Sequence, residues 1–262
     1  MDITSILGLL FGIAILLLEV KVPNLVHFWS LNGFLIVFGG TIFALMASCS
    51  PKFFLIMLRH WKVLLRARYH VEPLIDALYS LSEKARKNGV LTLEKEVQSI
   101  GEPFFRKGMF LIIDAVGVEK VKHILEKDIE CMEQRHEDSA EIYDKGASYA
   151  TAFGMIGTLV KLVPLLLKLG EYQGNVEILG TEMALAFLPI LYGSIFAYLI
   201  FNPIGRKLRV KNEEEVLYKQ VVVEGVMAIQ EGENPKYIKE RLLSYIEEGK
   251  RDKTFSSGKK KR

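Results

Sequence analysis

The sequence predicts an all-α polytopic membrane protein with four transmembrane helices and a helical cytoplasmic domain. Three observations predict it. Apolar and charged residues fall into separate blocks, the apolar blocks have spanning length, and the charged blocks carry apolar residues at helical spacing. Of the 262 residues 50% are hydrophobic and 25% charged, and this mixture segregates along the chain, as in integral membrane proteins. A span needs about 20 mostly apolar residues, a length that residues 3–20, 28–47, 150–169 and 183–201 approach.

The first block opens on Met1-Asp2 and runs into "LLLEVKVPN". It lacks the basic start and small-residue cleavage site of a signal peptide, so it reads as a retained span. Cations set the orientation. Lys52, Arg59, Lys62, Arg66 and Arg68 follow the second block, and Arg206, Lys207, Arg209 and Lys211 follow the fourth. The connections around "KVPN" and "GEYQGNVEILGTE" carry few, so both termini and the middle region are expected in the cytoplasm. The net charge of +3 conceals this asymmetry.

The expected organisation is a first helix pair over residues 1–50, a cytoplasmic helical insertion over 51–147, a second helix pair over 148–204, C-terminal cytoplasmic helices over 205–248 and a disordered basic tail over 249–262. In "VEKVKHILEKDIECMEQ" the residues Val121, Ile124, Leu125, Ile129 and Met132 share one face, the mark of an amphipathic helix. Pro73 and Pro103 suit helix first turns, and Gly89 suits a helix end. No breaker stands between Val118 and Gly146, so that helix is expected to run on into the third span. In the tail, a long helix should end at Gly232 and a second start at Pro235. Residues 249–262 have too little apolar surface to pack.

Soluble-enzyme chemistry is not expected. Cys49 and Cys131 fall on the cytoplasmic side, where no disulfide is expected. His27, His60, His70, His123 and His136 lack metal-ligand spacing. No phosphate-cradling loop, nucleophile elbow or paired-carboxylate signature occurs in a suitable context. No cofactor is implied.

Within the spans, Gly8 with Gly12, Gly39 with Gly40, Gly154 with Gly157, and Gly193 with Ala197 recur at helix-packing spacing. They fit packing within one subunit and packing against a second copy equally well. The third block, "TAFGMIGTLVKLVPLLLKL", carries Lys161 near its middle, where a charge costs roughly 2.5–3.5 kcal/mol on insertion scales. Gly154, Thr158, Lys161, Leu165 and Lys168 share a face. Lys161 either faces a polar path or a partner's charge, or snorkels to the outer surface on its long stem. Glu19 and Glu182 stand only at span edges, so no carboxylate of this chain could carry a proton or ligate sodium at mid-membrane.

The segments "ARKNGVLTLEKEV", "DIECMEQRHEDSAEIYDKGASYATAFGMIGTLV", "LYGSIFAYLIFNPIGRKL" and "EEEVLYKQVVVEGVMAIQEGENPKYIKERLLSYI" resemble the A subunit of the bacterial flagellar stator, the MotA/PomA family of the MotA/TolQ/ExbB superfamily. The similarity runs from the first span to about Ile246. It implies an inner-membrane homo-oligomer, pentameric in that family, around the single spans of two MotB/PomB-type B subunits. Each B span would bring the aspartate this chain lacks. Proton or sodium flow would turn the ring, and the insertion would drive the rotor switch protein FliG through charges that match Arg86 and Glu94. Membrane lipid is the other expected partner, and nucleic acid is not.

The resemblance implies an ion path along Thr151, Gly154, Gly157, Thr158 and Lys161 of the third span and Pro189-Ile190 of the fourth. Thr158 keeps the family's hydroxyl. Thr151 replaces a Pro, Lys161 replaces a Gly and Pro189-Ile190 replaces a Thr pair. Losing those hydroxyls weakens sodium coordination, and an ammonium repels cations while it can pair with the partner's aspartate, so the ion stays unassigned. Two alternatives stay open: an ExbB/TolQ-like ring channel that powers another envelope machine, and a non-conducting scaffold.

Overall fold

The computed structural model describes residues 27–49, 69–172 and 176–246, together with Leu7, Gly8, Phe11, Gly12, Ala14, Ile15 and Leu18. Most of the first block, the cations between Lys52 and Arg68, His60 and the basic tail lie outside the described residues. Every regular element among the described residues is helical. In chain order they are α1 (Leu31–Ser48), α2 (Val71–Asn88), α3 (Glu94–Gln98), α4 (Pro103–Ile113), α5 (Val118–Leu167), α6 (Val176–Gln230) and α7 (Pro235–Leu243). Short 3-10 turns cover Val90–Leu93 and Leu169–Tyr172.

Three of these helices, α1, α5 and α6, are long and apolar enough to cross a membrane. Only 22%, 28% and 28% of their apolar windows is buried within the chain, so most of that surface calls for lipid or another subunit as cover. Among the exposed side chains are Phe43, Leu159, Val160 and Leu166.

The chain forms two compact units, residues 1–67 with 136–210 and residues 68–135 with 211–262. Both breaks after residue 67 fall inside continuous helices, because no breaker stands between Val118 and Gly146 of α5 and α6 passes from apolar to charged sequence without interruption.

In the second unit, local chemistry sets the helix ends. Glu72 sits in the first turn of α2 and Arg86 and Lys87 in its last, each charge complementing the helix dipole. Gly89 then takes φ +85°, a conformation costly for any residue with a Cβ. The Glu102 carboxylate caps α4 by accepting the Phe105 N–H, and Pro103 takes the first position, where its missing N–H costs nothing. Gly232 at φ +70° ends α6, and the Asn234 side chain caps α7 ahead of Pro235. Leu74, Ile75 and Leu78 of α2 pack in one core with Met109 of α4, Val121 and Leu125 of α5, Val226 of α6 and Ile238 of α7. The amphipathic face expected on α5 is buried, with Ile124 half-buried at its margin.

In the first unit, α1, α5 and α6 make contacts tighter than ordinary side chains permit. A Cβ on Gly193 would lie 2.5 Å from the Ala150 carbonyl oxygen, and one on Gly40 would enter the Phe153 ring. Ala147, Ala150 and Ala197 form a buried small-residue cluster beside this contact. Phe34, Phe38 and Phe196 stack between α1 and α6 at centroid separations of 5.2–6.0 Å. Both helices carry a π-helical turn nearby, Leu35–Gly39 in α1 and Phe196–Phe201 in α6. Further along, the Arg209 guanidinium bridges Glu137 (2.8 Å) and Asp144 (2.6 Å) of α5.

Candidate functional site

The site grows from one backbone defect. Pro189 stands inside α6 and has no N–H, so the carbonyl four residues earlier, that of Leu185, loses its usual helical donor. A fully buried carbonyl without a donor costs about 1–3 kcal/mol, and a half-buried one such as that of Leu185 costs less. Lys161 of α5 supplies the replacement: its Nζ donates to the Leu185 oxygen at 3.2 Å and to Ser30 Oγ at 2.9 Å.

Ser30 is also the N-cap of α1. Its Oγ accepts the Gly33 N–H at 3.3 Å, which satisfies one of the helix's unpaired first-turn donors. The Ser30 N–H donates to the Tyr192 hydroxyl at 2.8 Å, and that hydroxyl donates to the Phe28 carbonyl at 2.6 Å. One lysine and one tyrosine thus tie α5, α6 and the start of α1 together.

Glycines make the convergence possible. A Cβ on Gly157 would lie 2.9 Å from Pro189 Cβ and 3.0 Å from Ile36 Cγ2, and one on Gly154 would lie 3.0 Å from the Pro189 carbonyl oxygen. The proline is therefore seated against α5 at van der Waals contact, with Gly33 of α1 closing the third side. Beside this junction an open cavity of about 430 Å³ is lined by Asn32, Lys161, Lys168, Glu182 and Leu185.

The expected path residues divide. Gly154, Gly157, Lys161 and Pro189 meet at the junction. Thr158 is buried, and its Oγ1 makes no hydrogen bond. Ile190 is half-exposed beside the proline. Thr151 lies nearer the α5 midpoint, where its hydroxyl donates to the Ala147 carbonyl at 3.0 Å. It lines a second cavity of about 430 Å³ with Asp144, Ser148, Tyr198 and Asn202. Asp144 and Glu137 hold the Arg209 guanidinium above its already high pKa by accepting its hydrogen bonds, while burial pushes the Tyr143 phenol up to about 12.

In the second unit Arg86 and Glu94 flank the Gly89 turn, and both are exposed. Lys84 pairs with Glu96 at 2.7 Å beside them, and Leu91 projects at 73% exposure. No group of three or more His, Cys, Asp or Glu suited to a metal occurs among the described residues. Sequence reasoning missed Ser30, Tyr192 and the Leu185 carbonyl. The position four residues before Pro189 and the serine opening "SLNGF" were the available signals.

Comparison with known proteins places these features in a family. Residues 96–221 match the model of the MotA/TolQ/ExbB proton channel family. The chain is 35% identical to Motility protein A of Borreliella burgdorferi, with 98% of each chain covered. The chain belongs to the MotA/TolQ/ExbB proton channel family. It is also 35% identical to the protein YtxD of Bacillus subtilis over 93% of this chain and 90% of that one. Among solved structures it resembles the flagellar MotAB stator complex from Bacillus subtilis, with a TM-score of 0.86, 26% identity, and 96% and 98% of the two chains covered. Membership makes the three apolar helices those of a membrane channel protein.

Proposed function

We propose that this chain is the ring-forming A-type subunit of a flagellar stator, which joins a MotB/PomB-type partner and couples proton or sodium flow to rotor rotation. The observation that carries this reading is the near-full-length match, in sequence and in fold, to Motility protein A and to a chain of a MotAB stator complex. The expected assembly is a homopentamer around two B subunits in the inner membrane, with four spans per protomer and both termini in the cytoplasm. The chain works as a mechanical energy converter and not as an enzyme, and its ion is cargo.

The partner supplies the mid-membrane carboxylate, because Glu19 and Glu182 of this chain stand only at the edges of the expected spans. Thr158, Gly154 and Gly157 border the path. Arg86 and Glu94, both exposed at the Gly89 turn, contact FliG by charge. The test is swimming speed in a stator-null cell that expresses this chain with its cognate B subunit, in sodium and then in potassium. Rescue in both media supports proton coupling, and rescue in sodium alone supports sodium coupling. Failure in both, with both proteins confirmed in the membrane, rejects the stator reading and leaves an ExbB/TolQ-like machine or a scaffold.

A further inference from the structure

We propose that Lys161 is a positioning residue that serves as a surrogate helical donor for Pro189, so that the two form one unit locking α5 to α6. This rests on the stator reading only for its consequence in rotation; the lock itself is a property of the fold. An intramembrane lysine and an intramembrane proline are each unfavourable alone, one for its charge and the other for the carbonyl it strips of a donor. Here the lysine supplies the donor that the proline removed, and the freed carbonyl helps to solvate the ammonium.

The carbonyl that lacks a donor is that of Leu185, four residues before Pro189, and it accepts from Lys161 Nζ at 3.2 Å. Ser30 Oγ accepts a second hydrogen bond from the same ammonium at 2.9 Å. The lysine's Cα stands one turn beyond Gly157, whose missing Cβ admits the proline ring. The glycine thus fixes where α6 approaches α5, and the lysine fixes how the bent carbonyl is satisfied once it is there. Two of the ammonium's three donors are occupied within the protomer, which makes Lys161 a strut of the path wall and not a charge free to follow the ion.

A double-mutant cycle tests this on the complex with the B subunit. Lys161→Met keeps the stem and removes the donors, Pro189→Ala restores the N–H that Leu185 needs, and the third variant carries both. The packing lost with the proline ring is common to Pro189→Ala and the double variant and cancels in the cycle. Lys161→Met alone is expected to lower the thermal midpoint of the purified complex by about 3 °C or more. In the Pro189→Ala background the same change should cost less than half of that. Lys161→Arg, which keeps the donors, should recover most of the midpoint and of the swimming speed. The double variant should swim with the wild-type dependence on pH and sodium.

Additive midpoints would overturn the proposal. So would a shift in pH or sodium dependence that follows the loss of Lys161 whatever stands at position 189, because that is the signature of a counter-ion in the path. If the wild-type complex fails to drive swimming while the midpoints still show coupling, the stator reading has failed and the lock has not.

Discussion

Replacing Gly193 by Ala puts a close backbone-to-backbone helix contact of the first unit to the test. The new Cβ would stand 2.5 Å from the Ala150 carbonyl oxygen, 3.0 Å from Gly154 Cα and 3.3 Å from the Ala150 carbonyl carbon. All three atoms are backbone, so no rotamer change relieves the clash. To restore ordinary contact, α5 and α6 must separate by up to about 1 Å, which loosens the Ala147–Ala150–Ala197 cluster and the Pro189 seat at the same time. Overpacking of this kind costs about 1–3 kcal/mol, and the Gly-to-Ala gain in helix propensity returns about 0.5–1 kcal/mol. The net change, from about 0 to a loss of about 2.5 kcal/mol, corresponds to a midpoint lower by up to about 10 °C for a chain of this size. Scanning fluorimetry of the purified protein in detergent measures it. Gly180→Ala in the same helix, where a Cβ would meet nothing within 4 Å, is the control and should melt at or slightly above the parent. A Gly193→Ala midpoint equal to that control would mean that α5 and α6 are not in tight contact at this point.

Leu78 is fully buried and touches the position where Gly225 lacks a Cβ, so Leu78→Ala should destabilise the second unit by about 2–5 kcal/mol, read as accelerated proteolysis of that unit. Charge reversal at Arg86 or Glu94 should change the stability by no more than about 1 kcal/mol, the worth of an exposed helix-end charge, while swimming speed falls. A loss of speed matched by a loss of folded protein would remove the case for rotor contact. Burial raises the Tyr143 phenol to about 12 from 10.0. The unfolded chain therefore ionises first as pH rises, and stability held below pH 10 is lost between about 10 and 12. Alkaline unfolding of Tyr143→Phe should lack that component.

Much of the helix grammar was legible locally. Gly89 and Gly232 end helices, Pro103 and Pro235 begin them, and Val121, Leu125, Ile129 and Met132 lie on the buried face, because each signal depends only on backbone stereochemistry or a 3.6-residue period. The passage of α5 from charged into apolar sequence followed from the lack of any breaker between Val118 and Gly146. The two π-helical turns left no such trace: an inserted residue at Leu35–Gly39 or Phe196–Phe201 answers to how α1 and α6 stack their phenylalanines, which is a tertiary matter. Lys161 and Pro189 each stood out as anomalies in apolar segments, and arithmetic alone points from Pro189 to the Leu185 carbonyl. That Lys161 answers that carbonyl, with Ser30 as its second acceptor, depends on the register of α5 against α6 and on where α1 begins. Residues 131 and 24 positions away in sequence set that register, beyond the reach of any periodicity.

The proposed function of this chain is to convert ion flow into rotation. Its most direct test is the rotation of a bead tethered to a flagellar stub in a stator-null cell while this chain and its B subunit are induced together. Rotation is expected to return in discrete equal increments of speed as stators engage, with no increment when the partner's membrane aspartate is replaced by asparagine. A bead that stays still with both proteins assembled in the membrane, or increments that survive the aspartate replacement, would contradict it.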